Sequence, residues 1–261
     1  MIEVTLSNSI LGTSKMSDYD IMVKSYKMPS MPSRKSGDVS VPGAYGDYRL
    51  KGQKRKSSEI EFTCVMVGNS EGEIQSNIFE FNAKFNDDSE ALKVTISDMP
   101  GYHAYAYLEE VSDYQVTKGM WNYFAELTIT MKMNKPFFYE TTPTEFGPFG
   151  AFTSKVLTND GFPQGCKIVL TSTDTAPTIT SGTENVVVTI NGEVVKYKNG
   201  IAVNKPITID TEACEVWVGE EEDLTDWEGA MPELKNGSNS VSFSAVQTNV
   251  QLEIVFAACF M

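Results

Sequence analysis

The sequence predicts a mainly β protein of two domains, and three observations predict it. Apolar residues alternate with polar ones at period two along much of the chain. One stretch departs from this: Ile74, Ile78, Phe81 and Phe85 follow i, i+4, i+7 and i+11, a helical stripe. A run with two prolines and two glycines and no alternation, Thr141 to Phe152, separates two strand-rich halves. The expected architecture is an N-terminal β-sandwich-like domain over 1–139 with one packed helix (about 73–86) and an extended β-arm (about 24–56). A linker over 140–152 follows, then an antiparallel β-sandwich over 153–261.

The arm comes first in the chain. From Lys24 to Lys56 nine Lys or Arg stand against two Asp. From Ser57 onward eleven basic residues face thirty acidic ones. A basic arm on an acidic body suits docking onto another copy or an acidic neighbour. A solvated loop has the same composition. Within the arm, Val39-Ser40-Val41 reads as a short strand running into the turn Pro42-Gly43-Ala44-Tyr45-Gly46-Asp47.

Strands follow. Ile60, Phe62, Cys64 and Met66 share one face, Leu92, Val94 and Ile96 another. Tyr123, Ala125, Leu127, Ile129, Met131 and Met133 form a third, stopped by Pro136. Asp87-Asp88-Ser89 is expected to turn the chain out of the helix. In the second half, Asn191-Gly192 between VVVTI and EVVKY predicts a two-residue hairpin, because both turn positions need positive φ. That turn pairs Ile190 with Glu193, Val188 with Val195 and Val186 with Tyr197. Strands are also expected at Ile201–Val203, Ile207–Asp210, Val241–Ala245 and Val250–Phe256.

The chemistry-bearing residues are sparse. The single histidine, His103, is expected in a loop or at a strand edge, and no GxSxG elbow, HExxH, Walker sequence or GxGxxG is present. Cys64, Cys166, Cys214 and Cys259 have no CxxC spacing and read as buried thiols. Glu220-Glu221-Glu222-Asp223 lacks the spacing and Gly of an EF-hand loop and reads as a solvated acidic loop. Trp121, Trp217 and Trp227 could stack on a sugar, although Trp217 reads as core. Neither a metal nor a cofactor is expected. A net charge of −14 argues against nucleic-acid or anionic-membrane binding by the whole chain. No apolar run is long enough to span a membrane, and no secretory signal is visible.

Taken in order, these segments resemble the distal tail protein (Dit) family of long, non-contractile-tailed phages, in its short form without an inserted carbohydrate-binding module. The residues are Val39, Val41, Pro42, Gly43 and Gly46 at the family's turn, the strands and helix that follow, and KPFFY at Lys135–Tyr139. In the second half, Ile207–Val218 is similar to the family's strand with a central Ile-Asp pair. Gly229, Met231, Pro232, Leu234, Gly237, Asn239 and Val241 match its late run. Ala44-Tyr45 departs from the Arg-Asp the family often carries, which leaves that arginine's role open.

The resemblance implies a virion structural protein made in the bacterial host cytoplasm and placed at the distal end of the tail. It implies a homo-hexameric ring joining the tail tube protein to the tail-tip hub (tail-associated lysin) protein, often with receptor-binding proteins, and no enzymatic activity. The arm would embrace the neighbouring subunit, and the C-terminal sandwich would be galectin-like. Arg34, Lys35, Arg49, Lys51, Lys54, Arg55 and Lys56 are the expected arm contacts. The competing readings are a carbohydrate-binding module for host cell-wall or surface glycans and, less supported by motifs, a hydrolase.

Overall fold

Two long strands in perfect antiparallel register organise the first half. They are β6 (Ser58–Gly68) and β10 (Tyr123–Met133), paired from Ser58↔Met133 to Gly68↔Tyr123. Their period-two residues face one way: Ile60, Phe62, Cys64, Met66, Ala125, Ile129, Met131 and Met133 are fully buried. The computed structural model describes residues 2–29, 38–40, 47–49, 57–86, 89–173, 184–223 and 225–260. The chain divides into two compact units, 1–139 and 140–260.

In the first unit β1 (Val4–Asn8), β2 (Gly12–Lys15), β3 (Ile21–Lys27), β7 (Leu92–Ile96) and β8 (Tyr102–Val111) complete the sheet, in the order β2-β1-β7-β8-β10-β6-β3. Ile2, just before β1, bridges Val23 of β3, so the chain at β1 returns to the far edge of this path and the sheet rolls around one core. A register shift at Thr130/Met131 against β8 supplies a bend. Helix α1 (Glu71–Phe85) packs on β6, β8 and β10 with Ile74, Ile78, Phe81 and Phe85 buried, the expected stripe. Ser70 caps it, its side chain accepting the Glu73 N–H at 3.1 Å, while Glu73 Oε2 accepts the Asn69 N–H at 2.6 Å. A short hairpin pairs β4 (Asp38–Ser40) with β5 (Asp47–Arg49). The strand β9 (Thr117–Lys118) pairs with the start of β10, and β11 (Phe138–Glu140) pairs with β8. Asp87 and Asp88, the expected turn, lie outside the described residues.

The second unit is an antiparallel β-sandwich. One sheet runs β12 (Thr144–Phe149), β22 (Val250–Phe256), β14 (Lys167–Ser172), β17 (Ile207–Asp210), β18 (Glu215–Val218), β19 (Glu221–Glu222). The other runs β13 (Phe152–Asn159), β21 (Gly237–Ala245), β15 (Val186–Ile190), β16 (Glu193–Tyr197), β20 (Trp227–Gly229). The core between them includes Ile168, Val188, Ile209, Phe243, Leu252 and Ile254. The β15–β16 hairpin has the register the turn dictates, with φ of 53° at Asn191 and 89° at Gly192.

Several expectations are corrected. Residues 140–152 are not a strandless linker, because they hold β12, which pairs with β22. It is the outer strand of its sheet, where Pro148 is tolerated. Ile201–Val203 is not a strand: the Ile201 N–H and C=O are taken up by the Gln247 side chain at 2.9 Å each. Ile207–Val218 is a hairpin of β17 and β18 rather than one strand. In β18, Val216 faces the core, and Trp217 stands on the other side with its indole N–H donating to Glu215 Oε2. His103 is a buried residue of β8, not a loop or edge residue. Cys214 is exposed, while Cys64, Cys166 and Cys259 are buried, and all four are free thiols.

Candidate assembly surface

The arm is inserted between two strands that are neighbours in the sheet. β3 ends at Lys27, opposite Glu61 of β6. Lys27 Nζ lies 3.2 Å from the Glu61 carboxylate, and Lys24 Nζ lies 2.5 Å from Glu126 Oε1. Both pairs are exposed and contribute little; Lys27–Glu61 lies near the arm's root, while Glu126 stands opposite Val65, towards the other end of the ladder. The Lys24 ammonium lowers the Glu126 carboxyl below its usual pKa. Between root and return, β4 and β5 pair as Asp38↔Arg49, Val39↔Tyr48 and Ser40↔Asp47. This places Val39 and Arg49 on one hairpin. Arg34, Lys35, Val41, Pro42, Gly43, Gly46, Lys51, Lys54, Arg55 and Lys56 lie outside the described residues.

A second hairpin ends at the opposite end of the β6–β10 ladder. β9 and β10 are joined by Gly119-Met120-Trp121-Asn122, closed by a hydrogen bond from the Gly119 N–H to the Asn122 carbonyl at 2.8 Å. Met120 is 88% exposed and Trp121 87% exposed, and Phe124 on the same hairpin is 39% exposed. This feature was missed as a surface in the sequence, where Trp121 stood only as one possible sugar-stacking residue. Its signal is a bulky apolar pair placed inside a turn.

The late run of the second unit proves structural in its contacts. Gly229 has a φ of 129°, and a Cβ there would lie 2.2 Å from the Val194 carbonyl oxygen. Pro232 and Leu234 are buried, and Met231 packs against the core. Gly237 opens β21 with a positive φ. Asn239 is fully buried and clamps the chain. Its Oδ1 accepts the Lys235 N–H at 2.7 Å and the Asn191 side-chain amide at 2.8 Å. Its Nδ2 donates to the carbonyls of Lys235 and Gly237, both at 2.9 Å.

The candidate chemical groups do not converge. His103 lies against Tyr105 and Tyr139, with ring centroids 5.1 and 6.0 Å away. Burial, with Lys93 nearby, lowers its pKa to about 4. Burial raises the Cys64 and Cys166 thiols to about 12 and Cys259 to about 11, so none is a ready nucleophile at neutral pH. Of the three tryptophans that could stack on a sugar, Trp121 lies in the first unit, and Trp217 and Trp227 lie on strands of different sheets of the second. Among the described residues no group of three or more His, Cys, Asp or Glu is placed to hold a metal, and no helix is long and apolar enough to cross a membrane.

Two β-built units, the first a rolled sheet with one helix and the second a sandwich, are the fold that the chain shares with solved phage tail and baseplate structures. The chain matches the crystal structure of the SPP1 Dit protein (gp 19.1) with a TM-score of 0.74 at 16% identity, covering 100% of each chain. That protein is described as a paradigm of the hub adsorption apparatus in phages infecting Gram-positive bacteria. Two structures of the phage P2 baseplate in its activated conformation, with Ca and with Sr, match at a TM-score of 0.52, with 12% and 11% identity and 100% coverage of both chains. No protein-family model matches the chain. No curated protein matches it in sequence.

Proposed function

We propose that this chain is a structural protein of a phage or phage-like tail tip. It forms a hexameric ring that joins the tail tube to the hub and the receptor-binding apparatus. The observation that carries this reading is the end-to-end likeness to SPP1 Dit, covering all of both chains. The arm adds to it. A two-stranded ribbon with three residues a side is marginal in water by itself. Its nine basic residues in 24–56 suit an acidic neighbour. One such contact, repeated around a rotation axis, closes a heterologous ring. The protein sits in the virion at the distal end of the tail, and its role is assembly rather than catalysis.

The test is the solution mass of the purified chain, with negative-stain images of the same fraction. Six copies in six-fold rings are expected. A mass of one chain that stays unchanged when tail-tube and hub proteins of the same particle are added overturns the proposal.

A further inference from the structure

Trp217 is a large side chain that the core of the second unit does not use. It and Val216 point to opposite sides of β18, and Val216 takes the core side. Its indole N–H donates to Glu215 Oε2 at 3.2 Å. Glu215 lies two residues back on the same strand face, so this bond lays the ring along the strand with one flat side outward. The strand pairing fixes what surrounds it. One row across the sheet runs Glu222, Trp217, Thr208, Val169, Glu253. Beside it runs Glu215, Asp210, Lys167, Val255. All of these are half-buried or exposed, on the face turned away from the core. Strands lie about 4.8 Å apart, so the row from Glu222 to Glu253 spans about 19 Å. Thr171 and Gln251 continue the same face along their strands. Thr171, with Asn204 and Pro206, also lines a cavity of about 400 Å³ where β14 ends and β17 begins.

The chemistry of this face suits a sugar. Among the described residues, the side chains of Thr208, Thr171, Gln251, Glu222 and Glu253 have no hydrogen-bond partner. A pyranose ring has an apolar C–H side and hydroxyls around its edge. The C–H side stacks on an indole, while the hydroxyls donate to carboxylates and exchange hydrogen bonds with Thr and Gln. A protein partner fits this face less well. Asp and Glu are depleted at protein–protein interfaces, and here they border the aromatic ring. Charge narrows the class of sugar. Asp210, Glu215, Glu222 and Glu253 outnumber Lys205 at the cavity rim and Lys167, which is paired with Asp210 at 3.5 Å. Uronates and phosphate-linked polymers are therefore repelled. We infer that the Trp217 face of the second unit, from Glu222 to the cavity at Thr171, binds a neutral glycan, with Trp217 as the stacking platform. This site goes beyond the ring reading and does not rest on it.

The test is calorimetric titration of the full chain with cellohexaose, laminarihexaose, chitohexaose and galactohexaose, beside polygalacturonate, together with fluorine NMR of the fluorotryptophan-labelled chain. The three tryptophans give three signals, and Trp217→Phe identifies the one from position 217. The expected result is saturable binding of at least one neutral hexaose with a Kd below about 1 mM, a shift of the position-217 signal, and no binding of polygalacturonate. Binding should fall at least about tenfold in Trp217→Ala and in Thr208→Lys, which lays a charged chain across the platform. In Trp217→Phe, which keeps an aromatic face, it should stay within about threefold. Absence of binding to every neutral hexaose overturns the site and leaves the ring reading standing. Binding that Trp217→Ala leaves unchanged overturns it too, as does polygalacturonate bound as tightly as the neutral chains.

Discussion

The hairpin at Asn191–Gly192 and the hairpin at Met120–Trp121 are the same device put to opposite uses. The first turns one apolar face fully inward. Val188, Ile190, Val195 and Tyr197 are buried, and Asn191 donates to Asn239 and accepts from the Ser240 N–H. The second is closed by one backbone hydrogen bond and turns its two largest apolar side chains to water. A turn whose every group is satisfied internally is a part of the fold. A turn that holds Trp in a fixed, wet position keeps burial free energy in reserve for another molecule.

The contrast can be broken most severely at Asn239. Asn239→Ala strips partners from the Lys235 N–H, the Lys235 and Gly237 carbonyls and Asn191, at a cost of about 3–4 kcal/mol. Denaturant unfolding should show it as a lower midpoint for the second unit. A variant as stable as the parent would mean the clamp is ornamental.

A step smaller, acid should weaken the first unit through His103. Its folded pKa of about 4 lies below the ordinary 6.5, so the unfolded chain binds the extra proton. The stability from its neutral burial is complete above about pH 6.5, declines as pH falls, and levels off below about pH 4. The loss is about 3 kcal/mol. Because His103 is the chain's single histidine, one imidazole NMR resonance reports its titration directly. A resonance titrating near 6.5 contradicts the burial argument.

Gly192→Ala places a side chain at a φ of 89° and should cost about 1–2 kcal/mol, read as a drop in thermal midpoint. Smallest of all, Trp121→Ala should change the stability of the isolated chain by no more than about 0.5 kcal/mol. A larger loss would show that Trp121 supports its own fold and erase the difference between the hairpins.

What the sequence reveals follows the same division. Where one residue satisfies two rules, its structure is legible. Asn191-Gly192 answers to turn type and alternation together, and its register emerges residue by residue. Ile74, Ile78, Phe81 and Phe85 likewise announce the helix and its buried face. Where a distant side chain replaces a strand, pattern fails. Ile201 looks extended and apolar, but Gln247, 46 residues away, takes both its backbone groups. Alternation marks which residues share a side but not which side is buried, so Trp217 was assigned to the core that Val216 occupies. β12 was hidden by Pro148 and by the absence of alternation, since an outer strand needs neither. The exposed Met120–Trp121 turn is the least legible part, because alternation along β10 says nothing of the residues that lie in the turn before it.

The pairing of Lys27 with Glu61 has one more consequence. The arm leaves and re-enters the sheet at adjacent strands, so its base is closed by the ladder whatever length of chain lies between. Lengthening such an excursion is cheap, about 0.6 kcal/mol for each doubling. Insertions or deletions there would change the length of the excursion and leave the register of β3 on β6 as it is. The site is an evolutionary adjustment screw: the excursion can drift in length while the domain that carries it keeps its strand pairing.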